Sequence, residues 1–115
     1  MTTFDKREQA AEEKLAHEEE LKFKVLARRN QYLGRWAANI LGMTGQKAEE
    51  YARYMLAAQL RGQEDVSVFQ KIRADFDAAK IARPDSEIRR EMDNLLARAT
   101  KEVRAGMPMT NPKDV

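Results

Sequence analysis

From residue 21 to residue 103 the larger apolar side chains recur at steps of three and four, with breaks near Gly42, Gly62 and Pro84. Steps of three and four keep side chains on one face of a helix, so the spacing commits the chain to four amphipathic helices. The first, over 21–41, aligns Leu26, Leu33, Trp36 or Ala37, and Ile40. Gly42 suits its stop, and Thr44 offers a hydroxyl to cap the next helix, with Lys47 rather than Glu where a capping box would need an acid. The second, over 45–60, sets Ala48, Tyr51 or Ala52, Met55, Leu56 and Leu60 on one side, and Gly62 ends it. Asp65 is placed to cap a third helix carrying Val66, Phe69, Ile72, Phe76 and Ala79. Pro84 forces a boundary, because proline inside a helix loses a backbone hydrogen bond and clashes with the preceding turn. Asp85 or Ser86 then starts a fourth helix with Ile88, Met92, Leu95, Ala99 and Val103 buried, closed by Gly106 and Pro108.

Four such helices joined by short connections predict antiparallel neighbours, and an all-α four-helix bundle is the economical way to bury four stripes. One core is expected from Leu33, Trp36, Tyr51, Met55, Phe69, Ile72, Phe76, Met92 and Leu95. With 115 residues the chain makes one domain, too small for an enzyme with a separate cofactor domain. The segment ahead of the bundle is different. Residues 5–24 hold twelve charged side chains, with Leu15, Leu21 and Phe23 the only large apolar ones. Its Ala, Glu, Lys and Gln favour helix, yet an isolated helix is marginal in water. The expected organisation is therefore a flexible, helix-prone arm over 1–19, the bundle over 20–105, and a loose tail over 106–115.

Composition removes most chemistry. There is no Cys, hence no disulfide, thiolate metal site or thiol nucleophile. His17 is the single histidine, set among Glu18, Glu19 and Glu20, and reads as solvated; a di-iron bundle would need Glu-x-x-His twice. A Ser or Thr nucleophile has no second His to activate it, so no catalytic residue and no enzyme is expected. The run Gly42, Met43, Thr44, Gly45, Gln46, Lys47 has the wrong glycine spacing for a phosphate loop and lacks a preceding strand. The 21 basic and 19 acidic residues are interleaved rather than gathered into a nucleic-acid-binding stripe. No apolar run reaches the length of a membrane span, and the start lacks a secretory signal, which together suggest a cytoplasmic protein.

Arg28, Tyr32 and Arg35 fall on one side of the first core helix and offer a basic and aromatic surface, although a solvated face with Tyr32 partly buried explains them as well. Trp36, the only tryptophan, lies on the apolar face and is read as core. A small bundle with a charged arm remains, and that combination points to an interaction protein.

Phe4, Asp5, Arg7 and Glu8, then Lys14, AHEEELKFK over 16–24, ARRN over 27–30, LGRWAA over 33–38 and LG at 41–42 carry a specific resemblance. Together they resemble the zeta subunit family, small inhibitors of the F-type ATP synthase of alphaproteobacteria, over nearly the whole chain to about residue 104. The resemblance implies a bundle whose flexible N-terminal segment enters the catalytic head of the synthase as a helix and blocks rotation of the central stalk. It implies partner contacts by Phe4, Asp5, Arg7, Glu8, Ala11, Glu12, Lys14 and Leu15; apart from the resemblance, the residues themselves offer Arg28, Arg29 and Arg35 as a secondary surface. It also implies a protein that is monomeric when free and peripheral to the inner membrane when bound, without membrane insertion or a nucleic-acid partner. No cofactor or metal is expected beyond a weak adenine-nucleotide site that no residue here localises. The family carries aromatics near positions 11 and 15, where this chain has Ala11 and Leu15, and that departure predicts weaker inhibition. The rivals are a nucleic-acid-associated helical protein using Arg28, Arg29 and Arg35 with Arg98, Lys101 and Arg104, and a nucleotide-sensing bundle without inhibitory action.

Overall fold

A computed structural model describes residues 3–109 of the chain, with side chains from residue 5 onward. Met1, Thr2 and residues 110–115 of the expected tail lie outside the described residues. Four helices and no strand account for the regular structure described: α1 (Thr3–Ile40), α2 (Gly45–Leu60), α3 (Asp65–Ala78) and α4 (Asp85–Arg104). The all-α, four-helix expectation holds. The first helix does not begin near residue 21, however; it is continuous through the segment read as an arm and extends over 38 residues. At about 1.5 Å per residue such a helix is near 57 Å long, and it sets the 64 Å long axis of the molecule.

All four helices end with the same device. The residue after the cap adopts positive φ at Gly42, Gly62, Lys80 and Gly106. The following amide then donates back to a carbonyl five residues earlier: Met43 to Ala38, Gln63 to Ala58, Ile81 to Phe76 and Met107 to Glu102. This is the Schellman closure, which satisfies carbonyls that the helix end would leave unpaired. The stops expected at Gly42, Gly62 and Gly106 are therefore real. Lys80 holds the same left-handed geometry at φ 59° despite its side chain. The helix starts are less as expected. Thr44 occupies the N-cap position without a side-chain capping bond, Glu64 rather than Asp65 precedes α3, and Pro84 precedes α4.

The core gathers Leu33, Tyr51, Met55, Ile72, Phe76, Met92 and Leu95 with Val68, Ile88 and several alanines, and Trp36 and Phe69 pack against it half-buried. Trp36 meets Phe76 at 5.8 Å between ring centroids, tilted by 55°. Burial of each large apolar side chain contributes roughly 1.5–3 kcal/mol. On α1 every residue over 27–34 is buried, with Val25, Ala37 and Ala38 beside them, whereas Leu26, Trp36 and Ile40 of the expected stripe are only half-buried. Gly34 marks the closest approach of α1 to α2: a Cβ added there would stand 2.8 Å from the Cα of Ala52.

Candidate functional site

The amino-terminal part of α1 projects beyond the bundle. From residue 5 to residue 24 every described side chain is exposed except the half-buried Leu21, and burial begins at Val25. Twenty residues of helix span about 30 Å. Asp5, Arg7, Glu8, Ala11, Glu12, Lys14 and Leu15 all stand on this projection in solvent, and Leu15 is 57% exposed. Phe4 lies in α1, but its side chain is outside the described residues. Ala11 and Leu15 lie within about 40° of Arg29 and Leu33 around an ideal helix of 100° per residue. Ala11 and Leu15 therefore share the azimuth of Arg29 and Leu33, while Leu21 and Phe23 stand well off it.

At the base of the projection the basic residues stand differently from expectation. Arg28 and Arg29, read as a secondary surface, are only 5% and 1% exposed. Arg28 donates to Glu102 Oε1 at 3.4 Å and to the backbone carbonyl of Met107. Arg29 donates through Nη2 to Asp65 Oδ1 at 2.5 Å and through Nε to Asn30 Oδ1 at 2.8 Å. Asp65 thus holds a buried guanidinium instead of capping α3. Buried charges require pairing, and both arginines have it. Arg35 is half-buried 5.9 Å from the Tyr32 ring centroid, and burial lowers its guanidinium from the ordinary value. The three arginines do not form an exposed basic face.

Tyr32 donates its hydroxyl to Glu102, which also accepts from Arg98 Nε at 3.0 Å, and the Arg98 guanidinium lies 4.1 Å from the Tyr32 ring centroid. Burial pushes the Glu102 carboxyl up, but the hydrogen bonds from Tyr32 and Arg98 and the charges of Arg98 and Arg28 outweigh it and hold the carboxyl below its ordinary value. Burial, then the bond to Glu102 and its charge, raise the Tyr32 phenol.

An open groove of about 1060 Å³ lies between the projecting part of α1 and the end of the bundle, with Leu21, Val25, Leu96 and Val103 as apolar lining and Lys14, Lys22 and Arg104 among its charges. A smaller one of about 400 Å³ runs between α3 and α4 and shares Asp65 and Leu96 with the first; there Arg89 stacks 4.5 Å from the Phe69 ring centroid. Among the described residues no group of three or more His, Asp or Glu side chains comes together to hold a metal ion. No described helix is long and apolar enough to cross a membrane. The arrangement is equipped for contact: a charged projection, a braced base and a groove beneath them.

The brace is not legible from local sequence, although one signal is present. Val25, Arg29, Leu33 and Ala37 step by four, so Arg29 stands inside an apolar row. Its partner is 36 residues away and that of Arg28 is 74 residues away, where periodicity gives no indication.

Comparison with known proteins adds three findings. A family model described as ATPase inhibitor subunit zeta matches residues 1–102. A chain solved by solution NMR is 31% identical with a TM-score of 0.63, over 76% of this chain and 99% of that one. Among curated proteins no match is found.

Proposed function

The chain belongs to the ATPase inhibitor subunit zeta family, and from that membership we propose that it inhibits ATP hydrolysis by the F-type ATP synthase through its N-terminal arm. The observation that carries the proposal is the exposed projection of α1 over residues 5–24, which adds nothing to the core. The arm inserts as a helix into an open interface of the catalytic head, further rotation traps it, and the central stalk stops turning in the hydrolytic direction. Leu15 and Phe4 anchor it, while Asp5, Arg7, Glu8, Glu12 and Lys14 make charged contacts that fix its register.

The length of α1 supports this reading through the physics of helix formation. Starting a helix is unfavourable by a factor of about 10⁻³, whereas extending one adds a hydrogen bond for each residue fixed. An arm joined to the rigid turns beyond Val25 grows from a helix already formed and avoids the nucleation penalty. Ordering it on binding still costs a few kcal/mol, about 2–5 for coupled folding of a segment. Ala11, in place of an aromatic, returns little of that, so inhibition is expected to be weaker than in relatives with larger side chains there.

In this reading the protein is cytoplasmic, monomeric when free and peripheral to the membrane when bound to the synthase. A weak adenine-nucleotide site on the bundle is part of the proposal and is tested by calorimetry with ADP and ATP. The nucleic-acid reading loses support, because Arg28 and Arg29 are paired in the interior. The decisive experiment adds the purified protein to the isolated catalytic head of its own synthase and measures ATP hydrolysis. Absence of both inhibition and binding under turnover refutes the proposal.

A further inference from the structure

The place where α1 leaves the bundle is fixed by charge. Over residues 5–24 the helix is exposed but for Leu21, and three residues beyond Val25 two consecutive guanidiniums are buried. Consecutive residues on a helix point about 100° apart, so Arg28 and Arg29 diverge toward different elements. Arg28 reaches the far end of α4, where it holds the Glu102 carboxylate and the Met107 carbonyl just past the helix. Arg29 reaches the first residue of α3, and Asn30 accepts from its Nε. Two bearings on a helix, taken against two separate elements, constrain both its rotation about its axis and its tilt.

Stability alone does not account for these two residues. A buried ion pair is often no more stabilising than apolar side chains of similar volume, because desolvation offsets the attraction. Direction is what such a pair supplies, since a guanidinium has fixed donor geometry and an apolar contact has none. We infer that Arg28 and Arg29 are positioning residues that set the direction in which the arm leaves the bundle, so that force on one is transmitted to the other. The inference rests on the inhibitory reading for its functional consequence, while its structural part stands by itself. Fixing the base in advance also lowers the ordering cost on binding, which then falls only on the residues ahead of it.

The chain has no Cys, so two introduced cysteines give two unique labels. Spin labels on Lys22→Cys and Asn94→Cys, both exposed, report the distance between the arm's base and α4. The parent is expected to give one narrow distance distribution. Arg28→Met with Arg29→Met should broaden it at least twofold with the bundle still folded, and Arg→Lys at both positions should recover part of the width. Where the double Met variant fails to fold, Asp65→Asn with Glu102→Gln removes the opposing charges instead and should broaden the distribution in the same way. An unchanged width in the folded variant overturns the inference.

Inhibition of the catalytic head is measured on the same proteins. Loss of at least tenfold in apparent affinity, with thermal stability retained, supports the brace; unchanged inhibition refutes its functional part. A parent that does not inhibit refutes the inhibitory reading alone, and the distance distributions still decide the brace.

Discussion

The hydroxyl of Tyr32 in α1 donates to the carboxylate of Glu102 in α4, seventy positions away, and closes the bundle beside the base of the arm. The carboxyl is held below its ordinary value by Tyr32, Arg98 and Arg28 in spite of burial, so the folded state favours its charged form. A carboxyl depressed on folding contributes stability that is present above its unfolded value, about 4.3 for Glu, and is lost as pH falls through its folded value. Glu102→Gln should therefore cost about 1.5–3 kcal/mol at pH 7, the range for a charged hydrogen bond. The gap between parent and variant should narrow as pH falls below about 4. Urea denaturation at a series of pH values measures it, and a gap independent of pH contradicts the assignment.

Gly34 tests the crossing of α1 and α2. Alanine is the better helix former by about 1 kcal/mol, so a helix free of neighbours would gain from the substitution. Here the new methyl group would lie 2.8 Å from the Cα of Ala52, a backbone atom without freedom to move aside. Gly34→Ala should destabilise by about 1–3 kcal/mol, the usual range for overpacking. A raised urea midpoint would mean that the two helices do not approach so closely.

Lys80 gives a prediction of opposite sign. It holds φ 59° at the end of α3 in the position filled by glycine at the ends of the other three helices. A side chain in that conformation costs roughly 1–2 kcal/mol, part of which glycine gives back through the entropy of its unfolded state. Lys80→Gly should raise stability by about 0.5–1 kcal/mol, and Gly62→Ala should lower it. Thermal melts of the two variants beside the parent check both signs.

Ala11→Pro separates arm from bundle. Proline in the middle of a helix costs roughly 3 kcal/mol, which at about 1.4 kcal/mol per factor of ten corresponds to about two orders of magnitude in an equilibrium constant. An unpacked helix is marginal in water, so the free arm frays and the penalty falls on the bound helix: inhibition of the catalytic head should weaken by up to about that factor, while the thermal midpoint hardly moves because residue 11 adds nothing to the core. A large fall in melting temperature would show that the arm belongs to the fold. Unchanged inhibition would show that it does not act as a helix.

The helices were legible because their stripes and stops are local. Gly42, Gly62 and Gly106 announce left-handed turns, but Lys80 makes the same turn without glycine and the end of α3 had to be inferred from Pro84. The core was legible for the same reason, since Leu33, Met55, Ile72, Phe76 and Met92 each sit in an apolar row. Arg29 was not. A charged residue inside an apolar row is buried only if a partner meets it, and in the sequence Asp65 shows only its short-range role as a helix cap. The continuity of α1 escaped for a related reason: residues 5–24 carry helix propensity without a burial stripe, and nothing in them marks a junction with the bundle.

The contact of Arg28 with the carbonyl of Met107 places the carboxyl-terminal end of the described fold at the base of the arm. Val103 and Arg104, at the close of α4, share a groove with Lys14 and His17 of the projection. A purification tag or fluorescent protein joined after Met109 therefore emerges near the base of the arm and, in the proposed mode of inhibition, contends with it for room at the partner. Labels attached at the opposite end, in the turns near Thr44 or Ala82, leave that approach open. Where a reporter is fused thus becomes a variable in any inhibition assay, and carboxyl-terminal fusions should appear as weak inhibitors until the fusion is cleaved.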